Sequence, residues 1–207
     1  MKKIKIAMGA EAVIYLVKEN NKIYVLKERI EKKYRHPIID KRFRKYRTRR
    51  ETKIIQKLNE IGIPCPKLLE VNEDQYYIKM EYINGRKLSE ILENLDYKKI
   101  CREIGYYVGL MHKNNIIHGD LTTSNILYKD GKIYFIDFGL SFFSSRIEDK
   151  AVDIHLFKEA LESKHWKIWK ECFEEFLKGY KEAYPEEYEK IIKRFEEVER
   201  RGRYKSV

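Results

Sequence analysis

The chain has 207 residues, 43% hydrophobic and 37% charged, enough apolar mass to bury a core in one domain or two small lobes, which excludes global disorder. Its 44 Lys and Arg outnumber 33 Asp and Glu, and the resulting +11 favours an anionic partner: nucleic acid, a nucleotide or an acidic protein face. No run of 18 uncharged apolar residues is present to span a membrane. Three scattered cysteines (Cys65, Cys101, Cys172) in no CxxC spacing argue against a disulfide framework and a zinc site and fit a reducing, cytoplasmic compartment.

The first 30 residues read as strands. Lys3–Met8, Ala12–Lys18 and Lys22–Arg29 are rich in Ile, Val and Tyr, and Asn20-Asn21 supplies a turn between the last two. The start is basic but has no unbroken apolar run, unlike a secretory signal. Ten Lys or Arg follow between Lys32 and Arg50. A helix is predicted from near Asp40 to Gly62, ahead of Pro64 and Pro66, with Phe43, Arg50, Ile54, Leu58 and Ile61 as its stripe and Glu51 on the same inward side. Leu68–Val71 and Tyr76–Glu81 read as strands around Asn72-Glu73-Asp74, and Asn84-Gly85 breaks the chain. Helix resumes at Leu88; Ile100, Ile104, Tyr107, Val108 and Met111 mark an amphipathic segment ending near Asn114-Asn115. Ile126–Tyr128 and Lys132–Ile136 flank the turn Lys129-Asp130-Gly131, and helix dominates after residue 150, divided by Pro185. Strands come early and helices late, which is the α+β order.

The densest chemical signal is His118-Gly119-Asp120-Leu121-Thr122-Thr123-Ser124-Asn125, followed by Asp137-Phe138-Gly139. Transfer of a γ-phosphoryl group needs a carboxylate to orient or deprotonate the incoming hydroxyl, and oxygen ligands to hold Mg²⁺ against the phosphates. Asp120, Asn125 and Asp137 supply that set in the right order, each on a loop or hairpin.

Here the sequence resembles the protein-kinase superfamily. The resemblance implies a minimal two-lobed protein-kinase-like fold, with a strand-rich N-lobe over residues 1–83 that binds nucleotide and a shortened helical catalytic C-lobe over 84–207. Val25-Leu26-Lys27 ends the third strand as the family's ATP-binding Lys does, and Glu51 matches the helix-borne Glu that pairs with it. Met80-Glu81-Tyr82-Ile83 occupies the hinge, so backbone groups of Glu81 and Ile83 are expected to hold adenine. Asp153 is expected either to buttress the catalytic loop or to serve as a charge at the N-terminus of a helix starting near Ala151.

The departures are as informative. Met8-Gly9-Ala10-Glu11-Ala12 replaces GxGxxG, keeping one glycine and adding a negative charge where phosphates would lie. Gly119 stands where the usual HRD Arg would be, and 68 residues follow Gly139 with no Ala-Pro-Glu, so a long activation segment is not expected. Taken together with the basic stretch Arg200–Lys205, these features are similar to one branch, the small atypical kinases of the KEOPS complex (the p53-related protein kinase family). That resemblance implies an ATP- and Mg²⁺-dependent Ser/Thr kinase or ATPase. It would work beside the complex's tRNA-modifying threonylcarbamoyl-transferase subunit and the other KEOPS subunits, in N6-threonylcarbamoyladenosine formation at tRNA position 37.

Lys27, Glu51 and Asp120 are thus the expected catalytic set, Asn125 and Asp137 the metal ligands, and Met8–Ala12 the phosphate-covering turn. Lys41–Lys57 and Arg200–Lys205 are expected to contact tRNA phosphates. His118 is expected to orient the loop, while His36, His112, His155 and His165 read as surface or packing residues. Two rival readings are a small-molecule phosphotransferase of the aminoglycoside or choline type, and a non-catalytic scaffold binding tRNA or a partner.

Overall fold

The computed structural model describes the chain from Lys2 to Arg203, with side chains from residue 3 to residue 201. It divides into two compact units at the Asn84–Gly85 junction, Met1–Asn84 and Gly85–Val207.

The first unit is an antiparallel sheet with one long helix. Strands β1 (Lys2–Met8), β2 (Ala12–Glu19), β3 (Lys22–Arg29), β4 (Leu68–Asn72) and β5 (Tyr77–Glu81) lie in the order β1-β2-β3-β5-β4. Asn20 and Asn21 close the β2–β3 hairpin with φ of 47° and 60°, the paired left-handed geometry that matches strand twist and that Asn tolerates. Between β4 and β5, the Asn72 side chain accepts the amides of Asp74 and Gln75 at 3.1 and 2.8 Å.

Helix α1 (Pro37–Glu60) starts a few residues earlier than the sequence predicts, with Pro37 in the first turn, where a missing N–H costs nothing. Its C-terminal half buries Thr48, Glu51, Thr52, Ile54, Ile55 and Leu58. Phe43, expected on that stripe, is 46% exposed instead. The first turns of α1 face an ionic cluster rather than apolar core: buried Asp40 there takes the Lys32 amide at 3.3 Å and Arg44 at 2.7 Å.

The second unit begins with a short strand β6 (Arg86–Lys87), one turn of helix α2 (Leu88–Ile91) and a 3₁₀ turn, Leu92–Asn94. Helix α3 (Tyr97–Lys113) is capped by Asp96, whose side chain accepts the Lys99 amide. Strand β7 (Ile116–Ile117) pairs with β10 (Phe142–Phe143), and β6, β8 (Ile126–Lys129) and β9 (Lys132–Phe135) form a second small sheet. The two-residue strands were beyond sequence reading because two residues carry no period. Helices α4 (Ile147–Lys164), α5 (Trp169–Ala183) and α6 (Tyr188–Arg203) complete the unit.

Glycines allow α3 and α5 to touch backbone to backbone. A Cβ on Gly105 would lie 1.9 Å from the Phe176 carbonyl oxygen, and one on Gly179 1.9 Å from that of Arg102. Ile104, Val108, Phe157, Phe176 and Tyr180 fill the core around this crossing. Cys65, Cys101 and Cys172 are all free thiols and buried; burial pushes the Cys65 pKa up to about 12. Among the described residues no helix is long and apolar enough to cross a membrane.

Candidate active site

In the first unit, β3 and α1 carry the two residues that motif reading paired. The Lys27 Nζ donates to Glu51 Oε1 at 2.6 Å, with both side chains at least 92% buried. The other carboxylate oxygen accepts from Arg29 NH2 at 2.5 Å. Two cations on alternate positions of one strand therefore share one helix-borne carboxylate, and Arg29 also reaches the Arg47 carbonyl at 3.4 Å. Two buried charges of one sign need such an acceptor, because desolvation would otherwise dominate. Sequence reasoning missed Arg29. Its only clue was the i, i+2 spacing from Lys27, which places both on one sheet face.

The segment Met8–Ala12 forms the tight β1–β2 connection, closed by the Gly9 amide donating to the Ala12 carbonyl at 2.9 Å. Met8 and Ala10 are exposed and the Ala12 side chain is buried. Glu11 is not the bare charge that the sequence implied. Its Oε1 accepts from Arg35 NH2 at 2.8 Å and its Oε2 from Arg47 NH1 at 2.9 Å. Hydrogen bonding to Arg35 outweighs partial burial and holds the Glu11 carboxyl below the usual Glu range. At the end of the unit the Glu81 amide is committed to the Lys67 carbonyl at 2.9 Å, so of Glu81 only the carbonyl is left to the role expected of it.

In the second unit, His118–Asn125 is a loop anchored from several sides. Asn125 ends a 3₁₀ turn (Thr123–Asn125), and its Nδ2 donates to both the side-chain and main-chain oxygens of Asp120, at 2.8 and 2.9 Å. That orientation turns the Asn125 Oδ1 away from Asp120. The Ile136 amide donates to the Asn125 carbonyl at 2.9 Å, which seats Asp137 next to the loop. Asp137 adopts φ +62°, an uncommon geometry for a residue with a side chain.

Asp153 anchors the loop from beneath. Its carboxylate accepts the amides of His118 and Gly119 at 2.7 and 2.9 Å and lies 3.1 Å from His112 Nε2. Because α4 begins at Ile147, with Glu148 and Asp149 in its first turn, Asp153 is not a helix-terminus charge; the buttress is the role that survives. Burial opposes its ionisation, but the hydrogen bonds from His112 and the His118 amide win and keep its pKa below the ordinary Asp value. His112 is itself wholly buried, with Nδ1 2.8 Å from the Tyr180 hydroxyl, so it belongs to the site's support rather than to the surface.

His118 is also buried. Its Nδ1 accepts the Asp120 amide at 3.3 Å, and its ring lies 5.2 Å from that of Phe138. Burial pushes its pKa down against the opposing pull of Asp153, Asp120 and Asp137, which suits an orienting imidazole. His165, read like His112 as a surface or packing residue, is buried, and its Nε2 lies 3.2 Å from Thr123 Oγ1 inside the loop. Gly119 has φ +78°, and a Cβ there would lie 2.7 Å from the Leu140 carbonyl oxygen, so the site has no room for the usual Arg.

The donor set suits Mg²⁺. Its candidate members, the Asn125 amide oxygen and the Asp137 carboxylate, are the hard oxygen type that Mg²⁺ takes, and among the described residues no three His, Cys, Asp or Glu side chains close on a metal. The basic helix face is partly neutralised: Arg44 pairs with Asp40, Lys45 with Asp74 at 2.9 Å and Arg49 with Glu73 at 2.5 Å. Lys41, Arg42 and Lys53 are exposed on the same helix. The expected basic tail is helical as far as Arg203, while Tyr204 and Lys205 lie outside the described residues.

Comparison with known proteins fits this geometry. A sequence model of the RIO domain matches residues 13–151. The KEOPS complex subunit Bud32 of Pyrococcus abyssi is 46% identical over 216 residues, covering 99% of this chain and 97% of its own. A probable bifunctional tRNA threonylcarbamoyladenosine biosynthesis protein of Methanocaldococcus jannaschii is 43% identical over 200 residues, and the match spans 96% of this chain but 36% of that longer protein. Among solved structures, the Rio2 kinase of Chaetomium thermophilum, in an ADP/Mg²⁺-phosphoaspartate complex, aligns with a TM-score of 0.69 at 18% identity over 97% of this chain and 70% of that one.

Proposed function

The chain belongs to the RIO-domain family, in the line of the Bud32 proteins, and from that premise we propose that it is an ATP- and Mg²⁺-dependent phosphotransferase or ATPase. It would work in the cytoplasm as a KEOPS-type subunit supporting threonylcarbamoyladenosine formation on tRNA, next to a threonylcarbamoyl-transferase subunit. The observation that carries the reading is the Asp120–Asn125 hydrogen bond on a loop anchored by Asp153. It points a carboxylate and an amide oxygen in defined directions without help from a ligand.

In this reading Lys27, set by Glu51, contacts the ATP phosphates while the Met8–Ala12 turn covers them. The Glu81 carbonyl and the Ile83 backbone hold adenine. Asp120 orients or deprotonates the attacking hydroxyl, or a water when ATP is hydrolysed. Asn125 Oδ1 and the Asp137 carboxylate would hold Mg²⁺, which offsets charge on the phosphate oxygens. The exposed bases of α1 and the Arg200–Lys205 segment would meet tRNA phosphates, giving strongly salt-dependent binding.

A positioned general base contributes roughly 10²–10⁴-fold. The purified Asp120→Ala protein is therefore expected to lose ATP turnover on that scale, in a single-turnover assay with and without tRNA and the transferase partner, while still binding nucleotide. Wild-type turnover by that variant rejects the assigned role.

A further inference from the structure

Glu11 sits in a turn that, in the reading above, covers polyphosphate, where an uncompensated carboxylate would repel the ligand. The geometry resolves this. Arg35, from the connection between β3 and α1, grips Glu11 with both terminal nitrogens, at 2.8 and 3.3 Å, and Arg47 of α1 adds a third contact at 2.9 Å. The three side chains are only 19–30% exposed, and together they carry one net positive charge. Arg35 also approaches buried Asp40 at 3.7 Å.

The cluster is continuous with the Lys27 site within the same unit. Arg47 holds Glu11 through its side chain and accepts from Arg29 through its carbonyl at 3.4 Å, and Arg29 shares Glu51 with Lys27. Turn, helix and lysine are thereby joined by polar contacts running along one face of α1. The connection has one glycine where the common motif has three, so its shape owes less to backbone freedom and more to whatever holds its side chains.

We propose that Glu11 is a positioning residue: clasped by Arg35 and Arg47, it fixes the Gly9–Ala12 turn, already closed by the Gly9 amide on the Ala12 carbonyl, at the height at which the amides of Ala10 and Glu11 meet the phosphates of a nucleoside triphosphate. The inference rests on the nucleotide-binding reading and adds to it a device that replaces the missing glycines. The carboxylate acts through the turn, without touching the ligand, and the arginines convert its unfavourable field into a net attractive one.

The test is calorimetric titration of wild type and Glu11→Gln with Mg·ATP, ADP and adenosine, with thermal unfolding in parallel. Losing charge-assisted contacts to a clasp is expected to weaken ATP about five- to tenfold, with adenosine unchanged. Glu11→Asp, which keeps the charge, should restore part of the loss, and Arg35→Gln should reproduce it without adding to Glu11→Gln in the double variant. A carboxylate that merely repelled phosphate would give the opposite sign, so unchanged or tighter ATP binding by Glu11→Gln overturns the clasp and leaves the nucleotide site intact. Wild-type protein that binds neither ATP nor ADP overturns the functional reading and the clasp together. Should Glu11→Gln not fold, Glu11→Asp decides, because it keeps the charge and shortens the reach to the arginines: weaker ATP binding supports the clasp and unchanged binding overturns it.

Discussion

Replacing Asp153 by Ala removes the acceptor of two main-chain amides, His118 N and Gly119 N, and the partner of His112. All three groups belong to the wholly or largely buried interior. A hydrogen bond to a charged group contributes about 1.5–3 kcal/mol, and breaking one side of a buried ionic arrangement costs about 3–5 kcal/mol. The expected loss is therefore about 3–5 kcal/mol. At about 2–4 °C per kcal/mol for a chain of this size, the melting temperature should fall by about 6–20 °C. Both tryptophans, Trp166 and Trp169, lie in the second unit, so their fluorescence follows this unit alone during urea or thermal unfolding. Asp153→Asn keeps the volume and one acceptor oxygen and should fall between. The exposed Glu174→Ala serves as a control, within about 0.5 kcal/mol of wild type. A loss under about 1 kcal/mol for Asp153→Ala would show that the loop does not depend on this carboxylate.

Three further outcomes are expected. Gly179→Ala forces a methyl into the Arg102 carbonyl oxygen, so α3 and α5 must separate; a cost of at least about 1–3 kcal/mol is expected in denaturant titration, and a neutral result would mean the crossing is looser than described. Gly119→Arg, which installs the residue of the HRD motif, should destabilise the second unit by about 1–3 kcal/mol, because φ +78° and the Leu140 carbonyl both oppose it; unchanged stability in denaturant titration would contradict this. Burial holds both His118 and His165 below the ordinary His value of 6.5, so unfolded imidazoles take up protons first on acidification. Stability should thus be full above pH 6.5 and decline as pH falls through the lowered folded-state values, with Asp153 adding a further loss below 3.8. Urea midpoints from pH 8 to 5 test this, and His165→Asn should flatten the slope; midpoints that rise toward pH 5 would refute it.

What could be read from the sequence was local. The Asn20-Asn21 and Asp130-Gly131 turns announce their hairpins because their left-handed geometry selects those residues, and Asp130 and Gly131 indeed have φ of 50° and 80°. Lys27, Glu51, Asp120 and Asn125 could be singled out because a phosphoryl-transfer motif is a pattern of residue types in chain order, and the structure pairs Lys27 with Glu51 and Asn125 with Asp120. What escaped depends on partners distant along the chain. His112 meets Asp153 across 41 residues and Tyr180 across 68, and His165 meets Thr123 across 42, so no local pattern marks them. Phe43 misled for the opposite reason: its spacing is helical, but the turn it occupies faces charge rather than core. Glu11 looked like an obstacle because a sequence does not show which arginines fold back to meet it.

The stretch Leu140–Arg146 joins the Asp137 hairpin to α4 in seven residues, and it is fastened throughout. Ser141 Oγ donates to the His118 carbonyl at 2.7 Å, β10 pairs with β7, and the Ser144 amide donates to the Asn115 carbonyl at 2.8 Å. A strand so short and so tethered has no slack to swing between an open and a blocked posture. Any motion that swung this linker aside would first have to break the Ser141 and Ser144 hydrogen bonds and the β7–β10 pairing.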